Sequence, residues 1–263
     1  FADWIKQEGS GEYWDKLCSM TPCSGRVPSL YIGGWYDIFL SGTIDAFASG
    51  AKKAGPDGPE HRLVLGPWQH VPWASFNGSV SYGAAANNDV DTLQLAWFDR
   101  HLKGKSEGVN AAPVRYFLMG ADTWYQSERW PLKNTNTVEL FLHSDGRANS
   151  LSGTGSLSVD PPGDELPDIY VYDPAEPVPS VGGASCCRAD VAPVGAFDQR
   201  EVEIRNDVLV YTTPVLEQDV DVVGSVEAVI YAATDALATD WNAKIGDWHS
   251  PGKARHNRHG VSP

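Results

Sequence analysis

A chain of 263 residues, 42% hydrophobic and 21% charged, holds enough apolar material for one large domain or two modest ones, and despite 26 Gly and 18 Pro it is neither disordered nor collagen-like in composition. With 34 Asp and Glu against 20 Lys and Arg, its net charge of -14 opposes binding to nucleic-acid phosphates and anionic lipid surfaces, so neither nucleic acid nor a membrane is an expected partner. No apolar run approaches the roughly 20 residues that span a bilayer, and the opening Phe1-Ala2-Asp3-Trp4-Ile5-Lys6 lacks the basic start and apolar block of a signal peptide.

Residues 1–24 read as the end of a helical region, with Trp4, Ile5, Tyr13, Trp14 and Leu17 in a broken stripe around Gly9-Ser10-Gly11. Nothing ahead of Phe1 supplies a surface for those aromatics to cover, so the chain is expected to begin inside a larger protein. Next, Val27-Pro28-Ser29-Leu30-Tyr31-Ile32 closes on Gly33-Gly34, as a buried strand ending at a tight turn does. From residue 38 to 54, Phe39, Ile44, Phe47 and Ala51 recur at helical spacing until Gly55-Pro56 stops the pattern. A second strand, Arg62-Leu63-Val64-Leu65, ends the same way at Gly66-Pro67. Leu93, Trp97 and Leu102 mark another helix, with Asp89 or Asp91 at its start and Gly104 just past its end. Residues 25–111 thus follow the grammar of an α/β domain with a parallel sheet, whose sites lie at the carboxyl ends of strands.

From residue 112 to 248 the pattern changes to strands. Residues 114–119, 138–143, 208–211 and 226–231 are β-rich runs closed by turn residues, which fits an all-β sandwich or jelly roll. The Gly-, Pro- and Ser-rich residues 150–183 read as a long connection across it. The tail, 249–263, loses alternation and gathers three of the seven histidines; a polar end explains it, and a histidine metal tract is the weaker reading. The four cysteines, Cys18, Cys23 and the adjacent Cys186-Cys187, lack C-x-x-C zinc spacing. A Cys18 to Cys23 disulfide and reduced thiols account for the sequence equally well, so no compartment follows from them.

Two residues on strand-end loops carry the candidate chemistry: Asp37 in Gly33-Gly34-Trp35-Tyr36-Asp37 and His70 in Gly66-Pro67-Trp68-Gln69-His70. An acyl hydrolase needs an imidazole to take the nucleophile's proton and return it to the leaving group, and a buried carboxylate to hold that imidazole in one tautomer. Asp before His, each after a parallel strand, suits an α/β-hydrolase in which serine comes first. Asp37 equally suits the cap of the helix beginning at Ile38, and His70 an ordinary loop position. Trp35, Tyr36, Trp68 and Trp73 flank the pair and suit either the wall of a substrate pocket or packing beneath the loops. Asp198, Arg200 and Asp240 read as ion-pair or turn residues. Two other classes compete: a non-catalytic protein whose β region binds a sugar or protein, and a metal hydrolase using His61, His70 and nearby carboxylates, for which no H-E-x-x-H spacing exists.

The longer motifs around Asp37 and His70 closely resemble the cocaine-esterase-like and Xaa-Pro dipeptidyl-peptidase family of serine hydrolases. The resemblance continues through Trp97-Phe98-Asp99-Arg100-His101-Leu102-Lys103-Gly104, Trp130-Pro131-Leu132, Tyr172-Asp173-Pro174, Phe197-Asp198-Gln199-Arg200 and Thr239-Asp240-Trp241-Asn242-Ala243-Lys244. It implies the C-terminal portion of an α/β-hydrolase domain, after the end of a helical cap, followed by a β-sandwich of jelly-roll type. The roll is expected to be short of its last strands, because Gly246-Asp247-Trp248 runs into the polar tail. It also implies that Asp37 is the triad acid and His70 the general base; apart from the resemblance, the residue spacing gives no reason to expect a metal, and no cofactor is expected. The family's nucleophilic serine, on a G-x-S-x-G-like elbow, precedes these motifs, as does an oxyanion hole made by a tyrosine hydroxyl and a backbone N–H. Gly183-Ala184-Ser185-Cys186-Cys187 imitates such an elbow but lacks the closing Gly, so Ser185 is not read as the nucleophile. The expected substrates are small esters, amides or short peptides, including X-Pro dipeptides. The chain alone is expected to be inactive, its nucleophile supplied by an upstream segment or a second chain.

Overall fold

The computed structural model describes residues 2–7, 9, 11–17, 25–71, 73–105, 112–186 and 190–247. Cys18, Cys23, Cys187 and the tail 249–263 lie outside the described residues. Two short helices, α1 (Ala2–Ile5) and α2 (Glu12–Leu17), open the chain and meet through Trp4 and Trp14. The α/β pattern then unfolds in order: β1 (Ser29–Gly34), α3 (Leu40–Ala54), β2 (His61–Gly66), the small hairpin β3 (Phe76–Asn77) and β4 (Val80–Ser81), α4 (Val90–Lys103), β5 (Val114–Leu118) and β6 (Thr123–Ser127).

β1 and β2 are parallel neighbours, in register from Ser29 opposite His61 to Gly34 opposite Gly66. β5 adds to β2 in parallel, β6 returns antiparallel, and the sheet order is β1-β2-β5-β6. The strand that opens the run after residue 112 therefore belongs to the same sheet as those before it. Alternation marks a strand but does not say which sheet receives it.

Side chains alternate between the two faces of this sheet. Leu63, Leu65, Val114 and Tyr116 pack with Leu40 and Phe47 of α3, whereas Val64 packs with Trp68 and Val90, beside Leu30 and Ile32. Helix α3 thus covers one face and α4 the other. Gly55, at φ 70°, ends α3, and Gly104, in the left-handed region at φ 69°, ends α4. Asp89 stands at the N-cap of α4, as expected, but its side chain makes no cap bond. The Asn88 side chain, not Asp89, accepts the Val90 N–H, at 2.9 Å, while Asp89 pairs with Arg115 at 2.8 Å. Phe39, placed by spacing in the apolar stripe of α3, is 52% exposed, and Leu40 takes the buried position instead.

Beyond residue 127 the expected strands form only in part. Of residues 138–143, Phe141–His143 becomes β7, paired antiparallel with β8 (Ser156–Ser158), which lies inside the stretch expected to be a connection. Of residues 208–211, Leu209 makes an isolated bridge to Asn149, and Thr212 just beyond them bridges Ser156. Residues 226–231 make no ladder among the described residues, and Val229 and Tyr231 stand exposed. A strand needs a partner's main chain to satisfy its N–H and C=O groups, and alternation does not supply one. Asp168 organises this region by accepting from the Ser144 hydroxyl, the Ala148 N–H and the Tyr211 hydroxyl. A short helix, α5 (Arg200–Glu203), follows, its Arg200 paired with Asp198. No helix among the described residues is long and apolar enough to cross a membrane.

Candidate active site

Because β1 and β2 are parallel and in register, the loops after Gly34 and Gly66 leave the same edge of the sheet side by side. Both glycines are required by close approach. A Cβ on Gly34 would run into the Trp68 carbonyl, and one on Gly66 into the Trp68 indole folded over it. The loops then hydrogen-bond to each other: the Trp35 N–H donates to Gly66 at 2.9 Å and the Tyr36 N–H to Trp68 at 3.0 Å. Asp37 N–H turns back onto the Gly34 carbonyl at 3.0 Å. From below, the buried Asn77 amide donates to the carbonyls of Pro67 at 2.6 Å and Ala74 at 3.0 Å, holding the second loop at both ends.

This scaffold brings His70 Nδ1 to 3.0 Å from Asp37 Oδ2. The Asp37 side chain is 5% exposed and that of His70 36%. A carboxylate only accepts, so the shared proton sits on Nδ1, which leaves Nε2 as the ring nitrogen facing away from Asp37. The plainer reading, in which Asp37 caps a helix beginning at Ile38, is not what forms: α3 begins at Leu40 with Phe39 at its N-cap and no side-chain cap bond, and Asp37 Oδ1 instead accepts the Phe39 N–H at 2.8 Å in the turn that leads into the helix. The turn into α3 and the imidazole contact use different oxygens of one carboxylate.

The flanking aromatics divide. Tyr36 and Trp68 are fully buried, Tyr36 with its hydroxyl on Tyr82 and Trp68 with its indole N–H on the Ala86 carbonyl at 2.8 Å. Both act as packing anchors beneath the loops. Trp35 is partly buried and donates to the Phe117 carbonyl at 2.7 Å; Trp73 is partly buried beside Val64, Trp68 and Val90, at φ 57°. A bulky side chain in the left-handed region is strained, and such strain persists only where surrounding contacts impose it.

The sequence did not announce a third segment. Ser185 N–H donates to the Tyr36 carbonyl at 3.1 Å, directly behind Asp37, while its hydroxyl donates to the Cys186 carbonyl at 3.2 Å. Cys186 is disulfide-bonded. Gly183 bridges Gly195, and Ala196 accepts from the Ser79 N–H at 2.8 Å, so this loop lies against the β3–β4 hairpin. Val194 and Ala196 complete a core with Tyr36, Tyr82 and Phe117. Its only sequence signal is the glycines, of which Gly182, Gly183 and Gly195 all have positive φ.

The metal alternative separates in space, because His61 starts β2 whereas His70 follows its other end. His61 is buried beside Tyr31, and burial pushes its pKa down, which suits a neutral core histidine. No group of three or more ligand-type side chains able to hold a metal occurs among the described residues.

Residues 1–72 match the X-Pro dipeptidyl-peptidase (S15) family, and residues 107–262 match the X-Pro dipeptidyl-peptidase C-terminal non-catalytic domain. Asp37 and His70 both fall in the first match. The chain is 37% identical over 255 residues to the cocaine esterase of Rhodococcus sp. (strain MB1 Bresler), a match covering 95% of this chain and 43% of that protein. The chain therefore spans less than half the length of this relative. Among solved structures, an α-amino acid ester hydrolase aligns with a TM-score of 0.61 at 24% identity, over 85% of this chain and 38% of that one. An aminopeptidase from a marine sediment Thaumarchaeota archaeon aligns with a TM-score of 0.55 at 23% identity, over 80% and 37%. At these identities the two structures speak for the fold.

Proposed function

The chain belongs to the cocaine-esterase-like and X-Pro dipeptidyl-peptidase family of serine hydrolases, and on that premise we propose that Asp37 and His70 are the acid and base of its Ser-His-Asp triad. The observation that carries the reading is the 3.0 Å bond between a buried carboxylate and the Nδ1 of a half-exposed imidazole, at the carboxyl edge of a parallel sheet. In this reading His70 Nε2 takes the proton of a serine hydroxyl as that oxygen attacks the acyl carbon. It then delivers the proton to the leaving group, and repeats both steps with water to release the acid. Asp37 holds the proton-bearing Nδ1 and stabilises the imidazolium formed in each half-reaction.

We place the serine and the oxyanion donors in sequence outside these 263 residues, in keeping with the 43% coverage of the esterase relative. The substrates are small esters, amides or short peptides, X-Pro dipeptides among them. The region beyond residue 127 is read as part of a jelly roll, supported by the match of residues 107–262 to the family's C-terminal domain.

Fluorophosphonate labelling tests the reading. A version extended upstream through a G-x-S-x-G elbow should be labelled, and His70→Ala should abolish labelling while the fold persists; the 263 residues alone should remain unlabelled. Undiminished labelling of the His70→Ala enzyme would sink the assignment.

A further inference from the structure

Phe39 touches both members of the pair. Its main-chain N–H donates to Asp37 Oδ1 at 2.8 Å, and its ring meets the His70 imidazole in a T-shaped contact, centroids 4.9 Å apart and planes at 67°. Neither the helix nor the core asks for an aromatic here. Phe39 occupies the N-cap of α3, where Ser, Thr, Asp or Asn is preferred, and it makes no side-chain cap bond. It joins none of the three core clusters and is 52% exposed, while Leu40 beside it is 6% exposed.

The need it meets is at His70. One hydrogen bond at Nδ1 leaves a half-exposed imidazole free to swing about its side-chain torsions, and each swing breaks the bond to Asp37. A ring packed against the imidazole removes that freedom, and T-shaped aromatic contacts add attraction beyond the area they bury. The bond from the Phe39 N–H acts in parallel on the partner, since a carboxylate tied at Oδ1 cannot rotate Oδ2 away from the imidazole.

We infer that Phe39 is a positioning residue for the pair, fixing the Asp37 carboxylate through its backbone and the His70 imidazole through its ring. The inference rests on the acid–base reading of Asp37 and His70, and its test separates the two.

Long-range proton–nitrogen correlation spectra report which nitrogen of a neutral imidazole carries the proton, and they need no nucleophile. They apply to the full 263-residue chain, with His70 assigned by the signal missing from His70→Ala. The wild-type chain should show His70 protonated at Nδ1. Phe39→Ala should move the tautomer ratio toward the Nε2–H form of a free imidazole by about three- to tenfold, the loss of one aromatic contact. Phe39→Leu, which keeps apolar bulk, should shift it the same way, and Phe39→Tyr should restore the wild-type ratio. A wild-type Nδ1–H signal left unchanged in both Phe39→Ala and Phe39→Leu overturns the role of Phe39 and leaves the pair standing. A free-imidazole ratio already present in the wild-type chain overturns the pair, and the role of Phe39 with it.

Discussion

His70 and Asp37 are 33 residues apart in sequence and 3.0 Å apart in space. The path between them is the crossover through α3, which returns the chain to the starting edge of the sheet, so that β2 runs beside β1 in the same direction. Parallel pairing alone brings two strand ends, and the loops they carry, to one edge. Gly34 opposite Gly66 then sets how closely those loops approach.

The two oxygens of Asp37 should be separable by substitution. Asp37→Asn keeps a carbonyl for the Phe39 N–H but turns an amide toward His70, favouring the wrong tautomer. In the upstream-extended enzyme, turnover of an ester substrate is expected to fall by about four orders of magnitude, with thermal unfolding close to that of the wild type. Near-normal turnover would exclude Asp37 as the acid.

Asn77→Ala removes the amide that joins Pro67 and Ala74, and leaves both carbonyls without that donor. The expected destabilisation in urea unfolding is about 1–3 kcal/mol, with the fastest gain in amide exchange between residues 67 and 74. A loss spread evenly over the chain would argue against a local role.

Gly195 has φ 106° and lies against the Asn77 and Gly78 backbone, where an added Cβ has no room. Gly195→Ala is therefore expected to cost more than about 1 kcal/mol and to free the loop behind Tyr36. The check is hydrogen exchange at the Ser185 N–H, which donates to the Tyr36 carbonyl. Unchanged protection there would mean the loop tolerates the methyl group.

His143 gives the β region a pH dependence. Its Nδ1 lies 2.6 Å from Glu165 and its Nε2 2.9 Å from the Asp160 carbonyl, so both nitrogens face acceptors. The Glu165 bond chiefly, then the Asp160 carbonyl, raises the His143 pKa above its ordinary 6.5; the His143 bond chiefly, then the Ser144 N–H, lowers that of Glu165 below 4.5. A raised histidine pKa stabilises fully below pH 6.5 and is lost as pH rises through the folded value. A lowered carboxylate pKa stabilises fully above pH 4.5 and is lost as pH falls through the folded value. Protection factors of residues 158–168 should therefore peak between these limits and decline on both sides, and His143→Phe should flatten the alkaline decline. A flat wild-type profile would refute a stabilising role for the His143–Glu165 pair.

Much of this was legible in the residues. Gly33-Gly34 and Gly66-Pro67 announced two strand ends, and the loops after them carried an acid and an imidazole. Helical spacing likewise located α3 and α4. Phe39 shows the limit of such spacing: it fits the apolar stripe of α3 by count, yet the helix begins one residue later and its ring lies on His70. Tyr36 and Trp68 show another, since an aromatic beside a site can wall a pocket or pack beneath a loop, and only burial tells the two apart.

By itself the sequence determined the local elements, the turns that end them, and which side chains could do acid–base chemistry, because these depend on neighbours within a few positions. Tertiary structure alone decided that β5 and β6 finish the first sheet, that Ser185 backs the acid loop, and which oxygen of Asp37 meets His70. Those contacts join residues tens of positions apart, and strand register and close packing, not local pattern, select them.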